Sequence, residues 1–118
     1  MFKKCNKCGN IVYVINNSNN MLCCNEEMKI LTVNSVDASF EKHMPNVNKD
    51  HDKVKVTVNH VMEDEHYIEW IAQECNDEII IKRLKPGMET IVQFKYMNDA
   101  AIYAYCNKHG LWQSKVIN

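Results

Sequence analysis

The residues best suited to chemistry are a cysteine and several histidines in the second half of the chain. Cys106 and His109 stand three residues apart in the segment Cys-Asn-Lys-His-Gly-Leu-Trp. A thiolate and an imidazole together suit iron, zinc or copper, whereas magnesium and calcium prefer oxygen ligands. Two ligands do not make a site. Further ligands have to come from the histidines upstream, which are His43, His51, His60 and His66.

Four cysteines near the N-terminus form a second candidate metal site. Cys5 and Cys8 are separated by two residues, and the adjacent pair Cys23 and Cys24 follows. A four-cysteine set with one Cys-x-x-Cys arm is typical of a tetrahedral iron or zinc site. Because neighbouring residues cannot both approach such an ion with relaxed geometry, we expect a distorted site. Zinc has the higher intrinsic affinity, so metal supply also decides whether iron or zinc is bound.

Short strands separated by turns must position the histidines. Val54, Val56 and Val58 alternate with polar residues, so they are expected on one face of a strand, and His60 continues their parity. Turn signals such as Pro86-Gly87 separate the β-like runs. The pattern predicts a mainly β chain with a seven-stranded antiparallel sandwich, and Cys106 and His109 at a tight bend. The predicted strands are Met28–Val36, Lys53–Asn59, His66–Gln73, Glu78–Leu84, Thr90–Tyr96, Ala101–Cys106 and Leu111–Ile117.

The chain is expected to form two domains, residues 1–36 and residues 37–118. The first segment has few large apolar side chains and a polar run at 16–20. It falls below the roughly 40 residues under which a core alone seldom suffices, so a metal would replace the missing core. The second segment would be the sandwich.

Composition and charge exclude several classes of partner. The net charge is −1 and no basic block is present, which argues against nucleic acid. No apolar run approaches the roughly 18 residues that span a bilayer, so no membrane partner is expected. The start, Met-Phe-Lys-Lys-Cys, does not resemble a secretory signal, and we expect a cytoplasmic protein. In that reducing compartment the six cysteines are better explained as metal ligands or free thiols than as disulfides.

Several motifs together resemble a known family. Glu-Lys-His-x-Pro at 41–45, His-x-Met at 60–62, His-Tyr-Ile-Glu-Trp-Ile at 66–71 and the segment at 106–112 resemble the iron-site motifs of the superoxide reductases. The four-cysteine segment resembles desulforedoxin, a small rubredoxin-related metal knot. Over nearly its whole length the chain is similar to the desulfoferrodoxins, the two-iron form of superoxide reductase.

That resemblance implies two iron ions per chain. One would be held by four cysteines, and zinc is able to replace it there. The other would be a non-haem iron with four histidine ligands and one axial cysteine, trans to an open position. The implied ligands are Cys5, Cys8, Cys23 and Cys24 for the first iron, and His43, His60, His66, Cys106 and His109 for the second.

The resemblance also implies an activity and an immunoglobulin-like sandwich. Ferrous iron, superoxide and two protons would give ferric iron and hydrogen peroxide, without dioxygen release. The thiolate would favour electron donation, as in cysteine-ligated haems. Lys42 would steer superoxide inward, and the Glu41 carboxylate would fill the open position of the ferric form. A small electron donor such as rubredoxin and a homodimer are further implications.

An alternative function stays open: an iron electron-transfer protein without substrate turnover, which would need no open position. One departure from the family pattern is Val61, where proline is usual. His51 lies in a polar turn and is expected at the surface, and Cys75 is expected to be a free thiol. Trp70 and Trp112 are expected in the core or packed beside the ligands.

Overall fold

The computed structural model describes residues 1–116 of the chain. It divides into two compact units, Met1–Thr32 and a larger one that begins at Val33. The predicted domain boundary at residue 36 stays a prediction, since compactness does not show that either part folds alone. No helix within residues 1–116 is long and apolar enough to cross a bilayer.

The first unit is a small cysteine knot built from very short strands. Strands β1, β2 and β5 form an antiparallel sheet in the order β2-β1-β5, and β3 pairs with β4 in a hairpin whose turn contains Cys24. The buried apolar residues of the unit are few: Phe2, Cys5, Val14 and Met28. The strands are β1 Phe2–Lys4, β2 Ile11–Tyr13, β3 Leu22–Cys23, β4 Glu26–Glu27 and β5 Lys29–Ile30.

The second unit is a sandwich of seven antiparallel strands, which confirms the predicted fold class. One sheet has the order β10-β7-β6, and the other has the order β12-β11-β8-β9. A single helical turn, α1, precedes the first sandwich strand. The elements are α1 Phe40–His43, β6 Asn46–Asp50, β7 Lys53–Thr57, β8 Ile68–Cys75, β9 Glu78–Arg83, β10 Ile91–Lys95, β11 Ala101–Cys106 and β12 Gly110–Lys115.

The apolar faces of the two sheets form the core of the sandwich. Val54, Val56 and Val58 are all buried, as their alternation predicts. Ile68 and Ile71 of β8 and Ile102 of β11 are fully buried in the same cluster. The core therefore fixes the ends of β7, β8 and β11, near which His60, His66 and Cys106 lie.

Three elements differ from the sequence prediction. The run Met28–Val36 is not one strand, since only Lys29–Ile30 pairs along β1 and Val33 makes an isolated bridge to Leu111. The seventh sandwich strand is instead β6, an exposed edge strand with few apolar residues. Helix α1 was also not predicted, because four residues carry no periodicity. Ile117, the end of the last predicted strand, lies outside the described residues.

Candidate metal centres

Four imidazole rings form a closed ring in the second unit. His43 contacts His60 and His109, and His66 contacts the same two rings on the opposite side. Neighbouring ring centroids lie 4.6 to 5.0 Å apart, with interplanar angles between 66° and 89°. In this arrangement the four histidines bring one ligand nitrogen each close to the others.

The fifth group is the Cys106 sulfur. It lies 3.4 Å from Nε2 of His60 and 3.9 Å from Nδ1 of His109. The ligand atoms of all five residues lie within 4.8 Å of one another. Two ligands on opposite sides of an ion at bond lengths of about 2.1 to 2.3 Å would be about 4.2 to 4.6 Å apart. The cluster therefore has the size of a single metal site.

The five side chains reach the cluster from four parts of the fold. His43 is the last residue of α1, His60 follows β7, and His66 precedes β8. Cys106 and His109 lie at the two ends of the β11–β12 turn, where Cys106 pairs with Gly110. Gly110 has φ of 82°, a conformation that L side chains rarely adopt, so glycine closes this turn. The same turn directs the backbone N–H groups of Lys108 and His109 toward the Cys106 sulfur.

Hydrogen bonds on the outer side of the ring set the tautomers of two histidines. Nδ1 of His43 donates to the Ser39 carbonyl oxygen at 2.7 Å, and Nδ1 of His60 donates to the Val61 carbonyl. Because a carbonyl oxygen only accepts, both Nε2 atoms are left as lone-pair donors facing the centre. Such outer bonds are typical of metal-ligating histidines.

One inner nitrogen of the cluster lacks a partner that a metal ion would supply, and another faces a second ring nitrogen. Nε2 of His66 is buried and has no hydrogen-bond partner within residues 1–116. Nε2 of His43 faces Nδ1 of His109 at 3.0 Å, so a proton or a cation must lie between them. A buried polar atom without a partner costs about 1 to 3 kcal/mol. The residues therefore fit a metal ion of borderline softness, such as iron.

Burial controls the charge of these groups. Desolvation lowers the pKa of His43, His60 and His66, which keeps the imidazoles neutral and able to coordinate. Burial raises the pKa of the Cys106 thiol. A buried thiolate thus needs a cation beside it, and a metal ion at the centre of the ring would be that cation.

A cavity of about 490 Å³ opens onto the imidazole ring. All four ring histidines line it, whereas Cys106 is fully buried and does not. The cluster is therefore closed by the sulfur on the buried side and accessible from the cavity, which could admit a small ligand to a sixth position.

The cavity wall carries charges that sequence reasoning identified only in part. Lys42 lines the cavity, as expected for a residue that would steer an anion. Glu41 is exposed on α1 and is not among the lining residues in the described part of the chain. Two other carboxylates line the cavity, those of Asp37 and Glu63, and neither was predicted. The position of Glu63, midway between His60 and His66 in sequence, was the available signal.

The four N-terminal cysteines form the second cluster. Their sulfur atoms lie within 4.8 Å of one another, with Cys8 and Cys23 sulfurs 3.6 Å apart. Cys24 has φ of 53° and Asn25 has φ of 62°, so the turn that contains the second of the adjacent cysteines has a left-handed backbone. The predicted distortion of the metal site stays a prediction.

The protonation of these thiols also points to a cation. The backbone N–H of Cys8 lowers the pKa of Cys5 to about 7. Hydrogen bonds with Cys5 and Cys8 raise the pKa of Cys23 to about 12, and a hydrogen bond with Cys8 raises the pKa of Cys24. Four thiolates cannot coexist in this volume without a positive ion among them. Iron and zinc both fit a four-sulfur site.

The remaining sequence expectations concern residues outside both clusters. His51 is exposed and contacts Asp50, as predicted for a surface turn. Cys75 is a free thiol. Trp112 is fully buried and stacks on the His43 ring at 4.9 Å, and Trp70 stacks on Tyr105. Both tryptophans therefore serve packing, and Trp112 packs directly against a cluster histidine.

Comparison with known proteins matches both units. The family model described as desulfoferrodoxin matches residues 35–115, and that of the desulfoferrodoxin N-terminal domain matches residues 2–31. A desulfoferrodoxin homolog of Archaeoglobus fulgidus is 44% identical over 116 residues, which cover 94% of this chain and 93% of that protein. A superoxide reductase of Pyrococcus abyssi is 33% identical over 108 residues, covering 72% of this chain and 94% of that protein.

A solved structure also resembles this chain over its full length. The crystal structure of the superoxide reductase from Treponema pallidum has a TM-score of 0.75 and 29% identity. The match covers 98% of this chain and 99% of that chain.

Proposed function

The chain belongs to the desulfoferrodoxin family, and we propose that it is a superoxide reductase that reduces superoxide to hydrogen peroxide. The proposed site is the ring of His43, His60, His66 and His109 with Cys106. Proteins similar to this chain along most of their length are named superoxide reductases. When iron is bound in the ring, it would supply the single electron of the reaction, and no dioxygen would be released.

The observation that carries this proposal is the position of the cavity. It contacts the four imidazoles and leaves Cys106 buried behind them. A metal site with five protein ligands and an accessible sixth side is suited to binding a small substrate. An outer-sphere electron carrier has no need of such an opening, so the cavity favours the enzyme over the electron-transfer alternative.

The side chains around the cavity would bind and orient the anion. Neutral imidazoles leave the charge of a bound cation uncancelled, so the cavity stays attractive to superoxide. The Lys42 ammonium adds a positive charge at the wall, while Asp37 and Glu63 oppose it. The two protons of the reaction would come from water in the open cavity. The Glu41 carboxylate would fill the open position of the ferric form, which requires its side chain or α1 to move, since Glu41 is exposed and is not among the residues that line the cavity in the described part of the chain.

The remaining proposals rest on the family. We propose two iron ions per chain, with zinc able to replace iron at the four-cysteine site. A small donor such as rubredoxin would return the electron, and the protein would act in the cytoplasm as a homodimer. None of these changes the chemistry assigned to the histidine ring.

Azide binding tests the enzyme against the electron carrier. Azide added to the oxidised, iron-loaded protein should shift the sulfur-to-iron absorption of the second site and leave that of the four-cysteine site unchanged. A spectrum that does not respond at millimolar azide would favour the carrier. The His66→Ala variant should lose the second iron and its response, which is the matched control.

A further inference from the structure

We propose that Asn107 is a positioning residue that fixes His66 relative to Cys106. The inference rests on the proposed metal site but not on its reaction with superoxide. Asn107 directly follows Cys106 and contacts the segment Glu65–Tyr67 in three ways. Its Oδ1 accepts from the Tyr67 N–H at 3.0 Å, and its Nδ2 donates to the Glu65 carbonyl at 2.9 Å. Its backbone N–H donates to the Tyr67 carbonyl at 3.2 Å.

The need for this contact arises from a break in the β8–β11 ladder. Tyr105 pairs with Trp70, but Cys106 pairs with Ile68, so Glu69 is left out of the register. Such a bulge bends the strand and ends regular pairing. Tyr67 and His66 therefore lie beyond the last ladder pair, and the ladder does not determine their position.

Asn107 joins the two segments by hydrogen bonds beyond the end of the ladder. Its two side-chain bonds reach the residues on either side of His66, so together they fix the peptide units from which the His66 ring extends. Within residues 1–116, the backbone of His66 itself bonds to Glu63, in the same loop, at 3.0 and 3.1 Å. Those bonds shape the loop but do not link it to Cys106. Among residues 1–116, Asn107 thus provides the hydrogen-bonded link between the two proposed ligands beyond the Cys106–Ile68 pair that ends the ladder.

The consequence concerns the unpartnered nitrogen of His66. Its Nε2 is buried and has no hydrogen-bond partner within residues 1–116, so that nitrogen does not hold the ring, which contacts only the rings of His60 and His109 among the aromatic groups of those residues. Without Asn107, the loop could shift and the ring would leave the other four groups. Loss of one supporting contact of this kind typically weakens metal binding by about 10- to 100-fold.

The experiment compares Asn107→Ala with Asn34→Ala in the full-length protein. Asn34 is the matched control because its side chain also makes two bonds to backbone, both to Gln113: it accepts from the N–H at 2.9 Å and donates to the carbonyl at 3.4 Å. It has φ of 54°, where alanine is strained, so a general loss of stability would affect this control as well. Thermal unfolding of both variants measures that loss.

The readouts are ferrous iron affinity, by competition with a chelator, and the electron paramagnetic resonance spectrum of the ferric site. Asn107→Ala should bind the second iron about tenfold or more weakly, with an altered spectrum, while the four-cysteine site is unchanged. Asn34→Ala should match the unsubstituted protein in both. Equal losses in the two variants, or unchanged affinity and spectrum in Asn107→Ala, would overturn the proposal.

A second variant covers the case in which Asn107→Ala does not fold. Asn107→Asp keeps the acceptor for Tyr67 N–H and loses only the donor to Glu65. We expect a smaller loss of iron affinity than in the alanine variant. Unchanged affinity and an unchanged ferric spectrum would show that the Glu65 bond does not position His66. Superoxide is absent from these measurements, so a failure of the proposed enzymatic activity would leave this result intact.

Discussion

Lys42→Ala should slow the capture of superoxide by the reduced protein. Lys42 lines the cavity over the imidazole ring, and so do the opposing carboxylates of Asp37 and Glu63. No ion pair within residues 1–116 neutralises the Lys42 ammonium. The variant would therefore leave a cavity wall with two negative charges and no compensating lysine.

The size of the effect follows from the dimensions of the cavity. A volume of about 490 Å³ corresponds to a sphere about 10 Å across, so a charge on the wall lies about 5 to 10 Å from superoxide inside it, and we take roughly 7 Å as the intermediate distance. At that distance two unit charges interact by about 0.6 kcal/mol at the dielectric constant of water, and by about 1.2 kcal/mol at half that dielectric constant. These energies correspond to a slowing of about 3- to 7-fold.

Pulse radiolysis of the ferrous protein at two ionic strengths measures this step. Lys42→Ala should lower the second-order rate and flatten its salt dependence, since the Debye length is about 8 Å at physiological salt. Lys115→Ala removes the same charge from β12, away from the cavity lining, and is the control. Glu63→Gln should raise the rate. An unchanged rate and salt slope in Lys42→Ala, or an equal decrease in Lys115→Ala, would refute the steering argument.

Three further outcomes are expected. Cys24→Ser should remove the thiolate absorption of the four-cysteine site while the second site keeps its iron, which metal analysis with optical spectra would check; loss of both irons would contradict two independent sites. Chelation at neutral pH should expose residues 1–32 to protease before the sandwich, because their apolar core is small; simultaneous cleavage of both units would argue against metal-dependent folding. Gly110→Ala should lower the melting temperature of the protein more than Gly87→Ala, because both glycines have positive φ but a new Cβ at Gly110 would also lie 3.3 Å from Val36, whereas one at Gly87 would have no neighbour within 4 Å. Equal melting temperatures would show that the contact with Val36 does not destabilise the fold.

The parts of the fold that the sequence predicted are those with a strong periodic signal. Val54 and Val56 of β7 and Val58 just after it alternate with polar residues, and their burial requires only that one face meets a core. Strand β6, with the sequence Asn-Val-Asn-Lys-Asp, contains one apolar residue, so its pairing with β7 depends on backbone hydrogen bonds that leave no sequence pattern. Met28–Val36 has a strand-like composition, but a partner exists for only part of it.

The candidate site shows the same distinction. Residue types indicated Cys106 and several histidines as candidate ligands, and the resemblance to the superoxide reductases then selected His43, His60, His66 and His109 and left out His51. They did not show that α1 presents His43, since a single helical turn has no measurable period. The carboxylates of Asp37 and Glu63 were missed because charged loop residues are usually solvated, and only the folded chain shows which ones line the cavity.

The most direct test of the proposed activity is the stoichiometry of the reaction with superoxide. The fully reduced, iron-loaded protein is mixed with superoxide under anaerobic conditions, and hydrogen peroxide and dioxygen are both measured. We expect one peroxide for each superoxide consumed, no dioxygen, and oxidation of the iron in the histidine ring. Dioxygen formed in equal amount to peroxide would indicate dismutation, and an iron that stays reduced would indicate no reaction at this site. Either result would contradict the proposed function.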